Sequence, residues 1–218
     1  MLVQSQSVYV STALRYWNPR WDEVRNQAVY RDLSFPVGVG SNLRVDLSVR
    51  SATGHECDLG PALAHVKRLC DHRTFHVDHE AFHDRPATLE AVTMFLAREI
   101  FPIEPSGGVW VYLKAWESDR LGCQASPGDE KVDLEFRVLN LHLKCRVEID
   151  PESGLGLPRS EAIRAVRKVF SRFSDPVSHD EKQWSAALFA ALHIELPTLI
   201  DLQIDLGRQR FLAVSPSS

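Results

Sequence analysis

The residues best suited to chemistry lie between Leu69 and Glu90, in the stretch LCDHRTFHVDHEAFHDRPATLE. Asp71 and His72 are adjacent there. A carboxylate beside an imidazole can orient the ring and stabilise its charged form, which is what a general acid or base needs near neutral pH. The same dipeptide also serves turns, with the Asp bonding local backbone N–H groups. His72, His76, His79 and His83 follow at spacings of four, three and four, with Asp78 and Glu80 among them. On a helix these histidines would share a face and could hold a metal; in a loop they would not. His142, His179 and His193 have no ligand-like spacing.

The elements around this stretch set its position. Ser7 to Ala13 reads as a β-type run broken by Asn18-Pro19, and Trp21 to Tyr30 as a short helix or an ordered loop. Leu43 to Val49 alternates apolar and polar residues, predicting a half-buried strand with Leu43, Val45, Leu47 and Val49 inward. Helical spacing runs from Pro61 to Leu69 and again from Thr88 to Ile100, with Thr88 as N-cap. Val109 to Trp116 reads as a strand, with a short strand near Cys123. The order then repeats: strands at 132–138 and 142–149, helices at 158–173 and 180–193, strands at 199–206 and 210–214 around a Gly207 turn. Pro158 suits a first helical turn.

At an offset of 100, Leu43 meets Leu143, Leu47 meets Val147, Val49 meets Ile149, Gly54 meets Gly154, Leu63 meets Ile163 and Val66 meets Val166. This predicts an internal duplication of a ββααββ unit. Pro127-Gly128-Asp129 reads as the linker, giving units at 1–126 and 130–218. The predicted class is α+β, with antiparallel sheets that carry helices on one face. Open sheet edges are usually paired or blocked, and closing several units into a barrel removes them, so a homo-oligomer is expected.

Composition bounds the function. The chain has 218 residues, 44% of them hydrophobic and 25% charged, and a net charge of -4. That fits a folded core and gives no basic field for nucleic acid or an anionic membrane surface. No apolar run reaches the roughly 18 residues that a membrane helix needs. The first residues, MLVQSQSVYVS, lack the pattern of a secretory signal. Cys57, Cys70, Cys123 and Cys145 are scattered and read as reduced thiols in a cytoplasmic protein.

Several motifs together resemble a known family. Asn18-Pro19 with Glu23, Asn26 and Tyr30, the strand from Gly38 through Asn42 to Arg50, Cys70-Asp71-His72-Arg73, Ala87-Thr88-Leu89-Glu90 and Trp116-Glu117-Ser118 are similar to five successive motifs of the 6-pyruvoyl-tetrahydropterin synthase and 6-carboxy-tetrahydropterin synthase family: its first long loop, GHGHNY, LDHR, PTxEN and ET. The resemblance extends over residues 8 to 125. The second half resembles the family only in element order and in the Asp150-Pro-Glu-Ser-Gly154 turn. The resemblance implies a T-fold, here in tandem, with proton transfer by Asp71 and His72. It also implies that Glu117 anchors a pterin-type ring by accepting two N–H bonds from its aminopyrimidinone edge, an edge shared with purines. Thr88 would supply further contacts to the ring, and the His72–His83 stretch would be a loop.

The departures are chemical. The family's three zinc-binding histidines match Leu14, Val39 and Ser41, of which two cannot ligate a metal and the third is a poor zinc ligand. The family's reactive cysteine matches Leu33. No metal and no cofactor are therefore expected. Two functions stay open. One is a metal-independent lyase or other enzyme acting on a pterin-like or purine-like heterocycle, by analogy with dihydroneopterin aldolase and urate oxidase. The other is a non-catalytic binding or structural subunit. Either is expected to close its barrel as a dimer or a trimer.

Overall fold

The computed structural model describes residues 2–138, 141–171, 181–205 and 211–214. The chain forms two compact units. The first is Met1–Val132 with Glu148–Gly156, and the second is Asp133–Val147 with Leu157–Ser218.

In the first unit β1 (Val3–Leu14) pairs antiparallel with β2 (Val39–Ser51), from Val3↔Arg50 to Leu14↔Val39. Both strands outrun their alternating cores. Val3–Gln6 has no clean period, yet it pairs because the far end of β2 lies beside it. Backbone hydrogen bonds need a neighbour, not a pattern. The short strand β3 (Arg73–Thr74) runs parallel to β1 on its outer side. On the other side β4 (Gly108–Ser118) and β5 (Leu121–Ala125) complete the order β3-β1-β2-β4-β5. Leu43, Val45, Leu47 and Val49 are fully buried, as their alternation requires. Each such side chain contributes about 2 kcal/mol of burial.

Helix α1 (Glu23–Tyr30) lies between β1 and β2 in sequence and is capped by Asp22, whose carboxylate accepts from the Arg25 N–H at 2.7 Å. Helix α2 (Gly60–Cys70) packs on β1. The single turn α3 (Phe75–Asp78) is followed by a 3₁₀ turn at Glu80–Phe82 and then by α4 (Leu89–Ile100), which packs on β4 and β5. Leu89, Val92, Leu96 and Ile100 are its fully buried face.

The second unit takes the strand order β6 (Val132–Val138), β7 (Leu141–Val147), β8 (Leu199–Asp205) and β9 (Phe211–Val214), with β8 antiparallel to both β7 and β9. Helices α5 (Arg159–Phe170) and α6 (Glu181–Glu195) pack on each other. Strand β7 ends two residues before the Ile149 expected from sequence, because Glu148 begins the segment that belongs to the first unit. The expected Gly207 turn and His179 lie outside the described residues. The elements β6, β7, α5, α6, β8 and β9 follow one another as strand, strand, helix, helix, strand, strand, whereas the first half interleaves α1, β3 and α3 among its strands and helices. No helix among the described residues is long and apolar enough to cross a membrane, and all four cysteines are free and buried.

Candidate functional site

Asp71 caps α2: its backbone N–H donates to the Lys67 carbonyl at 2.8 Å. The chain then turns through His72 at φ +56°, a left-handed conformation that costs a non-glycine residue roughly 1 kcal/mol. The His72 N–H donates to the Ser11 carbonyl at 2.6 Å, and Asp71 Oδ1 accepts from the Ser11 N–H at 3.1 Å. The dipeptide therefore brackets one residue of β1 and leads straight into β3. Among the described residues no hydrogen bond joins the exposed His72 ring to the Asp71 carboxylate.

Glu117 sits at the end of β4, half-buried. Its Oε2 accepts from the Tyr16 hydroxyl at 3.2 Å and its Oε1 from the Ser41 hydroxyl at 3.4 Å. Tyr16 Oη in turn accepts the Leu89 N–H at 3.3 Å. That N–H is one of the unpaired donors at the first turn of α4, so a polarised chain runs from the helix N-terminus through the phenol to the carboxylate. Burial first, then the charges of Glu117 and Glu90, push the Tyr16 phenol well above its ordinary value. It stays a donor at any working pH.

Glu90 is 5% exposed in the first turn of α4. Burial, with a smaller contribution from the Glu117 charge, pushes its carboxyl up to about 7, although its own N–H, the Gly156 N–H and Thr88 oppose the rise. Two carboxylates, Glu117 and Glu90, thus act on one phenol. Thr88 is the N-cap expected from sequence: its hydroxyl accepts from the Ala91 N–H at 3.3 Å and donates to the Gly154 carbonyl at 2.5 Å. Both functions of that hydroxyl are engaged within the protein.

Gly154 belongs to a turn that closes this end of the unit. Asp150 Oδ1 accepts from the Glu152 and Ser153 N–H groups and from the Ser153 hydroxyl, which holds the Asp150 carboxyl below the usual carboxylate range. Asn18 Nδ2 donates to the Glu152 carbonyl at 2.7 Å, and the Tyr30 hydroxyl donates to the Ser153 carbonyl at 2.7 Å. The loop motif Asn18, Asn26 and Tyr30 is therefore a clamp on this turn, with Asn26 buried and bonded to the Asn18 backbone.

The positions matched to the family's zinc ligands do converge. Leu14 lies opposite Val39, and Val39 and Ser41, two apart on β2, share a face. Leu14 is fully buried, and the Ser41 hydroxyl is on Glu117. Leu33 is exposed in the turn after α1. The histidines after His72 do not form one helical face, because the chain there is one α turn and one 3₁₀ turn. His79 Nε2 bonds the Leu69 carbonyl at 2.7 Å, and His83 Nε2 the Val77 carbonyl at 3.2 Å. No group of three metal-ligating side chains occurs among the described residues.

Sequence reading thus singled out Glu117, Thr88, Asp71 and His72, and the structure brings Glu117 and the Thr88 cap together around Tyr16. Asp71 and His72 sit on Ser11, nearer the middle of β1. Tyr16 and Glu90 were missed as site residues. Glu90 stood in plain view at the end of Ala87-Thr88-Leu89-Glu90, whereas no local pattern marks Tyr16.

No family model matches the chain, and no curated protein matches it. Among solved structures, urate oxidase from Bacillus sp. TB-90 is matched over 100% of both chains at 10% identity and a TM-score of 0.45. The 6-pyruvoyl tetrahydropterin synthase of Caenorhabditis elegans is matched over 58% of this chain and 96% of its own, at 18% identity and a TM-score of 0.52. This second likeness is one of fold alone, in line with the T-fold expected from sequence.

Proposed function

We propose that the first unit binds a pterin-like or purine-like heterocycle through Glu117, without zinc. The observation that carries this reading is the Glu117 carboxylate, held at a strand end by Tyr16 and Ser41 beside the N-terminus of α4. A fixed carboxylate of this kind is the natural acceptor for adjacent N–H and NH₂ donors. The side chains at Leu14, Val39 and Ser41 support a site that works without a metal. In this reading His72 is the proton-transfer group, aided by Asp71, and Thr88 shapes the ring pocket by holding the α4 terminus and the Gly154 turn. As in other T-folds, a neighbouring unit or chain completes the barrel, with the second unit as a divergent repeat.

The test is a thermal-shift and titration series with neopterin, biopterin, guanine and urate. A ligand at 100 times its Kd should stabilise the protein by about 2.7 kcal/mol. Glu117→Ala should abolish the shift. If a ligand binds wild type and Glu117→Ala equally, the anchoring role is wrong. Turnover lost in His72→Ala, with ligand affinity kept, would support the proton-transfer role.

The non-catalytic reading is favoured by one observation: the Asp71 carboxylate engages the Ser11 backbone and not the imidazole. Under that reading the heterocycle binds and His72→Ala changes nothing, or no heterocycle binds at all.

A further inference from the structure

A cavity of about 400 Å3 lies within the first unit, bounded by α4, the 81–86 turn and the segment around Asp150. Its volume falls in the range of small-molecule sites. None of the residues that hold Glu117 lines it.

The cavity has an aromatic floor. Phe82 and Phe95 meet edge to face with centroids 5.4 Å apart, and Met94 and Ile149 extend the apolar surface. Phe75 backs both rings at 5.6 and 6.1 Å, so the floor is braced from behind. Its walls are also fixed. Buried Arg15 donates to the carbonyls of Phe82 and Arg85, both at 3.0 Å, and sets the 82–85 turn in place.

The cavity is lined by three cationic and three anionic side chains, and what distinguishes them is which are already engaged. Lys131 is paired with Glu148 at 3.1 Å, and the Asp150 carboxylate caps its own turn. Arg85, Arg98 and Glu130 are not engaged in this way, and Asp150 keeps its negative charge. Among the described residues neither guanidinium has an ion-pair or side-chain hydrogen-bond partner. Two unpaired guanidinium groups above an aromatic floor suit a planar ring that carries a carboxylate. The fork of an arginine matches a carboxylate in two parallel bonds, and the ring would stack on the phenylalanines.

We propose that this cavity is a binding site for a planar aromatic carboxylate, held by Arg85 and Arg98 over Phe82 and Phe95. It is separate from the Glu117 site and does not rest on the function proposed for it.

The test is calorimetric titration of the full chain with 2-naphthoate, and with 2-naphthamide as the uncharged analogue. The acid should bind with one-to-one stoichiometry and at least about tenfold tighter than the amide. Arg85→Ala and Arg98→Ala should each raise its Kd about tenfold, a loss typical of one charge-assisted contact. Lys131→Ala should leave Kd within about twofold, because that lysine already has Glu148, and Glu117→Gln should do the same. Both arginines are exposed, so folding of the variants is readily confirmed by their thermal melts. Equal affinity for acid and amide, no effect of either arginine substitution, or equal weakening by Lys131→Ala would each overturn the proposal. Weakening by Glu117→Gln would place the ligand in the other site and overturn it as well.

Discussion

At the scale of single residues, the protonation of Glu90 is the sharpest handle on the site. Its carboxyl titrates at about 7 in the folded chain, above the ordinary carboxylate value, because burial disfavours the charged form. The fold therefore favours the neutral acid. The associated stability is fully present below the unfolded pKa of about 4.5 and is lost as pH rises through about 7. Glu90→Gln, which mimics the neutral form, should flatten that loss. Melting curves at pH 5 and pH 8 should show a smaller drop for the variant than for wild type, and an identical drop would contradict the assignment. Tyr16→Phe keeps the ring but removes both the bond to Glu117 and the acceptor for the Leu89 N–H. It should cost about 1–2 kcal/mol in denaturant unfolding and should weaken any ligand held by Glu117. His72 gives the opposite sign. Its φ of +56° is relaxed in glycine, so His72→Gly should raise stability by up to roughly 1 kcal/mol while removing the imidazole. A residue that lowers stability where glycine would not is a reason to look for a function in its side chain.

At the scale of elements, the site depends on how loops are pinned to strands. Arg15 is 7% exposed and bridges β-fashion to Ala87, with Arg15 N–H to Ala87 carbonyl and Ala87 N–H to Arg15 carbonyl both at 2.9 Å. Its guanidinium gathers the carbonyls of the 82–85 turn. One residue at the end of β1 thus positions the 82–85 turn through its side chain and the segment before α4 through its backbone. Gly38 does comparable work by its lack of a side chain: at φ +81° a Cβ there would lie 2.8 Å from the Leu14 carbonyl oxygen. Gly38→Ala should destabilise by about 1–3 kcal/mol through strain, measured by denaturant midpoint at unchanged m-value. The strands and helices that carry these loops were legible from sequence because each has its own periodicity. The pinning was not, since Arg15 and Ala87 lie 72 positions apart and no local pattern links the two.

At the scale of the whole chain, Glu148–Gly156 is the segment that most departs from a simple division into consecutive halves. It lies in sequence between two stretches of the second unit, yet its turn is held by Asn18, Tyr30 and Thr88 of the first. Because Asn18 and Tyr30 grip one rigid turn, their contributions should be coupled. A double-mutant cycle with Asn18→Ala and Tyr30→Phe should give an interaction energy of about 0.5 kcal/mol or more. Strict additivity would mean that the turn is held independently at each point. The surface pair Arg25–Glu152 on the same turn, more than half exposed on both sides, should matter little in comparison. Sequence alone determined the α+β class, the positions of most strands and helices, the Thr88 cap and the candidacy of Glu117, because each is written in local chemistry: alternation, helical spacing, capping residues and a motif. Only the tertiary structure decided that Tyr16 links α4 to Glu117, that Glu90 is buried beside them, that Asp71 faces Ser11 instead of His72, and that Arg85 and Arg98 share one cavity. Those outcomes depend on which distant segments the packed core brings within hydrogen-bond reach and on which charges it removes from water, and no local run of residues encodes either.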